Sequence, residues 1–421
     1  MEEIELNSNK TPLKNNVFKS LNGIYKIKKP YKIENIFNKT HFCFNHKIKN
    51  SSLKKEKIRN PGVDVVRIIA MYLIVFNHLL SGGNGYKKYH KYENFLQNIH
   101  ICTNWNNNGF ALISGVVGFN SNKYSNLLYL WLMVYFYSVG IHLYVQNYQK
   151  GFKINYDISI DYFPIIFKRY WYFTAYFGMY LFLPVINKGI SCLTKSEFRL
   201  VIFSIIGIFV FWRDFKNSTQ DVFNMNDGNS MIWLLINYLT GAYIGKYRVD
   251  YSGLKKYIYC FICILIYIFS SYLYIKAHNN QLYLGKRYYQ KELVNFIRRM
   301  LTKRSDSFLT IAQSITASLF FLQIKYNKYI AKVICFIGPL CFGVYLVHTH
   351  PILVENLLRN IFNKDPEHLS LNSMVILILL KALKIYVFCI IIDYFRNFIF
   401  TLLRIRKFCV FLEENLKKLF S

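Results

Sequence analysis

Apolar residues dominate this chain in long runs, separated by short polar connections, from about residue 63 to residue 403. A soluble helix spaces its apolar positions three and four apart and keeps one face polar, whereas runs approaching twenty apolar residues belong in a bilayer. The runs predict ten membrane helices, near 63–82, 101–120, 125–146, 171–190, 199–212, 229–246, 256–276, 307–323, 331–353 and 373–403, several of them broken by Gly or Pro. The fold class that follows is all-α: a polytopic membrane protein with about ten transmembrane helices.

The polar stretches set the expected organisation. Residues 1–60 carry 14 Lys or Arg against 5 Glu and no apolar stretch long enough for a signal peptide, so they read as a basic, flexible cytoplasmic tail. A transmembrane domain follows over 61–405, and 406–421 reads as a short basic cytoplasmic C-terminal tail. With the N-terminus inside, the outer connection 213–228 holds three Asp against two basic residues, and the inner one, 246–256, holds four basic residues and one Asp. Both obey the positive-inside rule. The connection 277–304 does not, with seven Lys or Arg and one Glu on the outer side; Leu293, Phe296, Ile297, Met300 and Leu301 there follow the spacing of an interfacial helix that could lie on either surface. No internal repeat is visible, which weakens an inverted-repeat transporter.

Composition changes the picture in two places. The net charge of +31 on a chain of 421 residues that is 53% hydrophobic would point to nucleic acid in a soluble protein. Here the basic residues lie between apolar runs and at the N-terminus, so anionic membrane lipids are the expected partner and nucleic acid is not. The nine cysteines are scattered, mostly within apolar runs, and imply no disulfide framework. Cys260 and Cys263 form a CxxC without His or acidic neighbours, and no metal site is expected.

Candidate chemistry concentrates in the first membrane segment, VDVVRIIAMYLIVFNHLLSG, which holds Asp64, Arg67, Asn77 and His78. Ionisable groups at membrane depth need a reason. Arg67 and His78 are eleven residues apart, so on a helix they lie about 20° from one face and roughly 16 Å apart along the axis. Asp64, three residues before Arg67, is placed to form a local ion pair. It stands about 21 Å from His78, which rules out a hydrolase-type triad within this helix. Arg67 is either a snorkelling side chain or an anion-binding group at the cytoplasmic entrance, and His78 either a hydrogen-bonded structural histidine or a titratable group deeper on the same stripe.

The segment GVDVVRIIAMYLIVFNHLL resembles the first helix of the acyltransferase-3 family, including its Arg-x10-His spacing at Arg67 and His78. Three more stretches resemble family motifs in the same order: FALISG at 110–115, RYWYFTAYFGMYLFLPVIN at 169–187 and FGVYLVHTHP at 342–351. The likeness runs from about 62 to 400. It implies ten transmembrane helices, an acyl-CoA donor (acetyl-CoA as co-substrate, no permanently bound cofactor) taken from the cytoplasmic side, and transfer of acetyl to a hydroxyl of a surface glycan, of the surface-polysaccharide O-acetyltransferase type, or of a lipid-linked or related acceptor. In a bacterium the membrane would be the cell or inner membrane. One departure stands out: many members carry an arginine pair after the Ser-Gly motif, whereas VVGFNSNKYSN offers only Lys123.

On this reading His78, carried over from the family motif, is the general base, because an imidazole titrates near working pH. Arg67, supported by Asp64, would hold CoA phosphate or nearby polar groups. Ser114, at an expected Gly-rich helix break, would either help an oxyanion or simply permit close helix packing. Lys123 would meet a phosphate as a point charge. Trp171, Tyr176, Tyr345 and His348 are possible cavity residues, His350 a weaker one, and Lys168 and Arg169 mark a helix end. Two other classes compete: a transporter or flippase of a glycan or lipid, and an inactive family member acting as a sensor or scaffold.

Overall fold

The computed structural model describes residues 60–212, 221, 223–284, 305–366 and 368–420. The expected N-terminal tail, the amphipathic stretch around Leu293 to Leu301 and most of the 213–228 connection lie outside the described residues. The secondary structure of those described is helical: α1 Pro61–Ser81, α2 Glu93–Thr103, α3 Asn106–Gly118, α4 Tyr124–Tyr148, α5 Trp171–Cys192, α6 Lys195–Ile206, α7 Met231–Tyr247, α8 Gly253–Leu284, α9 Phe308–Gln323, α10 Lys328–Ile337, α11 Cys341–His348, α12 Leu371–Leu402 and α13 Ile405–Leu419. Each expected membrane segment falls on one or more of these. Among the described residues, five stretches are long and apolar enough to cross a bilayer: Pro61–Ser81, Tyr124–Tyr148, Gly253–Lys276, Lys328–His348 and Leu371–Leu402. Helix α5 has the length, but its tyrosines with Pro184, Asn187 and Lys188 lower its hydropathy.

Helix α1 begins where the sequence says it should. Asn60 caps it by accepting a hydrogen bond from the Gly62 amide at 2.8 Å, and Pro61 stands at the first helical position. It is the central helix, with 61% of its apolar window buried, against 22% for Gly253–Lys276 and for α12. Those two helices instead expose Phe261, Phe269, Phe388 and Phe395. Apolar exposure on that scale is tolerable only against lipid.

Two differences from the sequence reading bear on the site. The FALISG stretch is not a helix break: α3 runs unbroken through Ser114 to Gly118, because Gly115 fits against the neighbouring helix instead of ending its own. The break lies earlier, at Asn104 and Trp105 between α2 and α3. Within 406–421, expected as a short tail, the described residues 406–419 form most of the amphipathic helix α13, which packs on α4 through Cys409 and Glu413.

Glu413 holds that helix down. Its carboxylate accepts hydrogen bonds from the Ser125 amide at 2.8 Å and from Lys417 Nζ at 2.6 Å. Burial alone would raise its pKa, but the bonds from Lys417 and Ser125 together outweigh burial and hold it down to about 2. The folded value lies below the unfolded one, near 4.3, so this stabilisation is complete above that pH and is lost as pH falls towards 2. Hydrogen exchange in 405–419, referenced to intrinsic rates, is expected to accelerate across that acid window. Glu413→Gln should loosen the helix already at neutral pH, by on the order of 1–3 kcal/mol; equal protection in the variant would remove Glu413 from this role.

Candidate active site

Asp64 is fully buried and accepts a hydrogen bond from Arg67 Nη1 at 2.9 Å, one helical turn away. The carboxylate fits because Gly338 has no side chain: a Cβ there would meet Asp64 Oδ1 at 2.4 Å. Arg67 then faces a cavity of 320 Å³ that is also lined by Ser114, Tyr129, Tyr172, Tyr176 and Arg396. Arg396 repeats the arrangement of Arg67. It pairs in bidentate fashion with Asp393, three residues earlier, at 2.9 and 2.6 Å, and Asp393 lies against Gly343, whose added Cβ would come within 2.0 Å. Tyr137 donates to the same carboxylate at 2.8 Å, and Arg396 donates to the Tyr129 hydroxyl at 3.0 Å. Two arginines on long apolar helices, each paired with its own aspartate, thus line one cavity.

A chain of aromatic contacts runs from this cavity to the histidines. Tyr172 lines the cavity, its ring lies 6.2 Å from that of Tyr345, and its amide donates to the Tyr345 hydroxyl at 3.3 Å. Tyr345 in turn makes an edge contact with His348 at 6.5 Å. The Tyr172 hydroxyl is buried with no hydrogen-bond partner among the described residues, a condition that buried polar groups normally avoid.

His78 and His348 are joined directly, Nδ1 of the first to Nε2 of the second at 3.0 Å, with ring centres 5.1 Å apart. His348 is buried, and its Nδ1 lies 2.6 Å from the Val344 carbonyl. A carbonyl only accepts, so His348 carries its proton on Nδ1 and presents a lone pair at Nε2. With one proton on each ring, His78 must donate from Nδ1. Its Nε2 is left as a lone pair. The last turn of α11 therefore fixes the tautomer of a histidine on α1, an effect that spacing within α1 does not reveal.

Residues 60–394 of this helical array match the acyltransferase domain of the acyltransferase-3 family. The chain belongs to the acyltransferase-3 family. No curated protein and no solved structure is similar enough to give a match. Membership makes the protein a membrane acyltransferase, and it covers the four motif stretches in the order in which they occur.

Within this acyltransferase the remaining expected residues separate. Tyr176 and Ser114 line the Arg67 cavity, although Ser114 Oγ donates to the Phe110 carbonyl at 2.9 Å within its own helix. Trp171 packs edge-on against Tyr172 at 5.5 Å and is not among the cavity residues. Lys123 precedes α4 with an exposed side chain outside the cavity, and the basic residues that do reach it are Arg67, Arg396 and Arg406. The last two lie beyond the family match.

Sequence reasoning passed over Asp393 and Arg396, although charged residues three apart inside an apolar run are the same signal as Asp64 and Arg67. It also passed over a second buried group. Asp161, fully buried, accepts from Arg169 Nε at 2.8 Å and Ser138 Oγ at 3.1 Å and pairs with His142 Nδ1 at 2.7 Å. Arg169 therefore does more than mark a helix end. His350 joins this group through the Ser138 carbonyl, with its Nε2 3.2 Å away. Asp161 stands in the short helix Ser159–Tyr162 between α4 and α5, 19 and 23 residues from His142 and Ser138, and nothing in the local pattern marks it.

Proposed function

We propose that the protein transfers an acyl group, acetyl in the first instance, from acyl-CoA to a hydroxyl of a cell-surface glycan or related acceptor, with His78 as general base. In this reading the chain crosses the membrane ten times with its N-terminus in the cytoplasm, and the donor enters at the Arg67 end of α1. The observation that carries the proposal is the bond between His78 and His348, which leaves His78 Nε2 as the unprotonated nitrogen. A base needs that form before it can take a proton.

The acceptor hydroxyl gives its proton to His78 Nε2 while its oxygen bonds to the thioester carbonyl carbon, and the resulting oxyanion collapses with cleavage of the carbon–sulfur bond. The leaving thiolate takes the proton back from the imidazolium. While His78 is charged, its Nδ1–H remains directed at His348 Nε2, so the charge is held without a carboxylate. Arg67 and Arg396 line the donor's route, and the unmet Tyr172 hydroxyl offers a donor or acceptor to the polar groups of the pantetheine arm.

The test is release of free CoA thiol from acetyl-CoA by purified protein, with and without a surface-glycan extract. Acceptor-dependent release supports the reading. Failure to release thiol above background with any acyl donor or extract would return the carrier and scaffold readings to the front.

Arg67 separates by substitution. Arg67→Lys keeps a cation for Asp64 but loses the planar fork, and is expected to raise KM for acetyl-CoA about threefold to tenfold with kcat nearly unchanged. Arg67→Ala leaves the buried Asp64 without this cation and should also destabilise the protein by on the order of 3 kcal/mol, seen as lower yield in detergent. Equal KM values for Arg67→Lys and wild type would remove Arg67 from donor binding.

A further inference from the structure

We infer that the turn joining α12 to α13, with Arg404, Arg406 and Lys407, binds the phosphates of the acyl donor, and that the Arg67 cavity holds the uncharged pantetheine arm. The inference rests on the donor reading above and assigns the site to a part of the chain beyond residue 394, where the family match ends.

Inside the cavity, Arg67 is neutralised by Asp64 and Arg396 by Asp393, so neither pair has much charge to spare for a polyanion. A second cavity, of 400 Å³, adjoins the first and shares Tyr129, Asn397 and Arg406 with it. Its lining adds Thr401, Arg404 and Lys407. All three cations, Arg404, Arg406 and Lys407, are exposed and have no acidic partner among the described residues. Arg406 lies over the Tyr129 ring at 4.9 Å, and that ring belongs to both cavities. The excess positive charge therefore stands in the second cavity and, through Arg406, where it meets the first, while the two arginines paired with Asp64 and Asp393 are balanced.

A molecule with several phosphates at one end and a neutral amide arm at the other matches that gradient. Phosphates are held best by uncompensated guanidinium groups, and a neutral arm enters a balanced cavity without displacing an ion pair. The backbone puts the cations there: Arg404 sits in the left-handed region, at φ 54°, between the two helices, and α13 is clamped onto α4 through Glu413 and the Ser125 amide. The arginine pair missing after the Ser-Gly motif is thus replaced from the other end of the chain. Anionic lipid headgroups present the same phosphate chemistry, and the test must separate the two.

The experiment uses the full chain in nanodiscs of phosphatidylcholine alone and with phosphatidylglycerol. The combined substitution Arg404→Gln, Lys407→Gln, which leaves Arg406 of the pantetheine cavity in place, is compared with wild type for equilibrium binding of CoA and for turnover of acetyl-CoA and acetyl-pantetheine, which has no nucleotide phosphates. Expected is a weakening of CoA binding, and a rise in KM for acetyl-CoA, of at least about tenfold, with KM for acetyl-pantetheine unchanged. The dependence of CoA binding on salt should become shallower as well. Unchanged CoA binding with wild-type turnover intact overturns this inference and leaves the transfer reading standing. Equal losses with both donors, or a difference seen only in phosphatidylglycerol discs, also overturn it, the second because the cluster then serves lipid. If wild type neither binds CoA nor releases thiol, the transfer reading falls and takes this inference with it.

Discussion

His78→Ala is expected to lower kcat for acyl transfer by about 10²- to 10⁴-fold, the usual contribution of a positioned general base, while KM for the acyl donor changes little. The size follows from what is removed: the one nitrogen whose lone pair the hydrogen-bond chain leaves free. The proposed donor contacts, 11 residues back along α1 at Arg67, are untouched. His348 acts through His78, so its variants give a finer reading. His348→Ala removes the acceptor for His78 Nδ1–H and allows the other tautomer, and a smaller loss, about tenfold or more, is expected together with a displaced pH–rate profile. His348→Gln can present an amide oxygen to the same Nδ1–H and should recover part of the rate. A purely structural His348 would give no such ordering, and an unshifted profile in His348→Ala would refute its role in setting the tautomer. Full activity in His78→Ala would leave the family assignment intact and end the case for this base.

How much of this was legible in the sequence depends on whether the information is local. The capped start of α1, the Asp64–Arg67 pair and the long apolar runs are local and could be read from spacing alone. Tyr345 and His348 could be picked out as a pair on one helix face, but not that His348 meets His78 across 270 residues. The same limit hides Asp161, whose partners lie on α4 and beside α5. The docking of the C-terminal segment is hidden for a different reason. Its charges and short length resemble a solvated tail, and only the docking of Cys409 and Glu413 on α4 makes it a helix that reaches the cavity mouth. For Ser114 the sequence offers both a helix break and close helix packing, and the structure has the packing: α3 is unbroken and Gly115 lies against the Tyr238 carbonyl.

That contact yields the largest expected effect on stability. Gly241→Ala should destabilise the protein by on the order of 3 kcal/mol, and Gly241→Leu should abolish the folded yield. A Cβ at Gly241 would sit 1.8 Å from the Leu112 carbonyl oxygen, and one at Gly115 would sit 1.9 Å from that of Tyr238. Both obstacles are backbone atoms, so no side-chain rotation relieves them, and α3 and α7 must move apart. Membrane helices gain nothing from water when they associate and rely on such close approach, so separation forfeits much of what holds the pair together. Gly140 and Gly189 provide the internal control: each lies within a helix with open space around it, and Ala there should be neutral or stabilise by up to about 1 kcal/mol. Thermal unfolding in detergent distinguishes the two classes, and a Gly241→Ala protein that melts with wild type would sink the packing argument. The effect should also reach the chemistry, because α3 carries Phe110 and Ser114 into the Arg67 cavity. Any Gly241→Ala protein that folds should therefore bind the acyl donor less well while keeping the His78–His348 pair, which is built on α1 and α11.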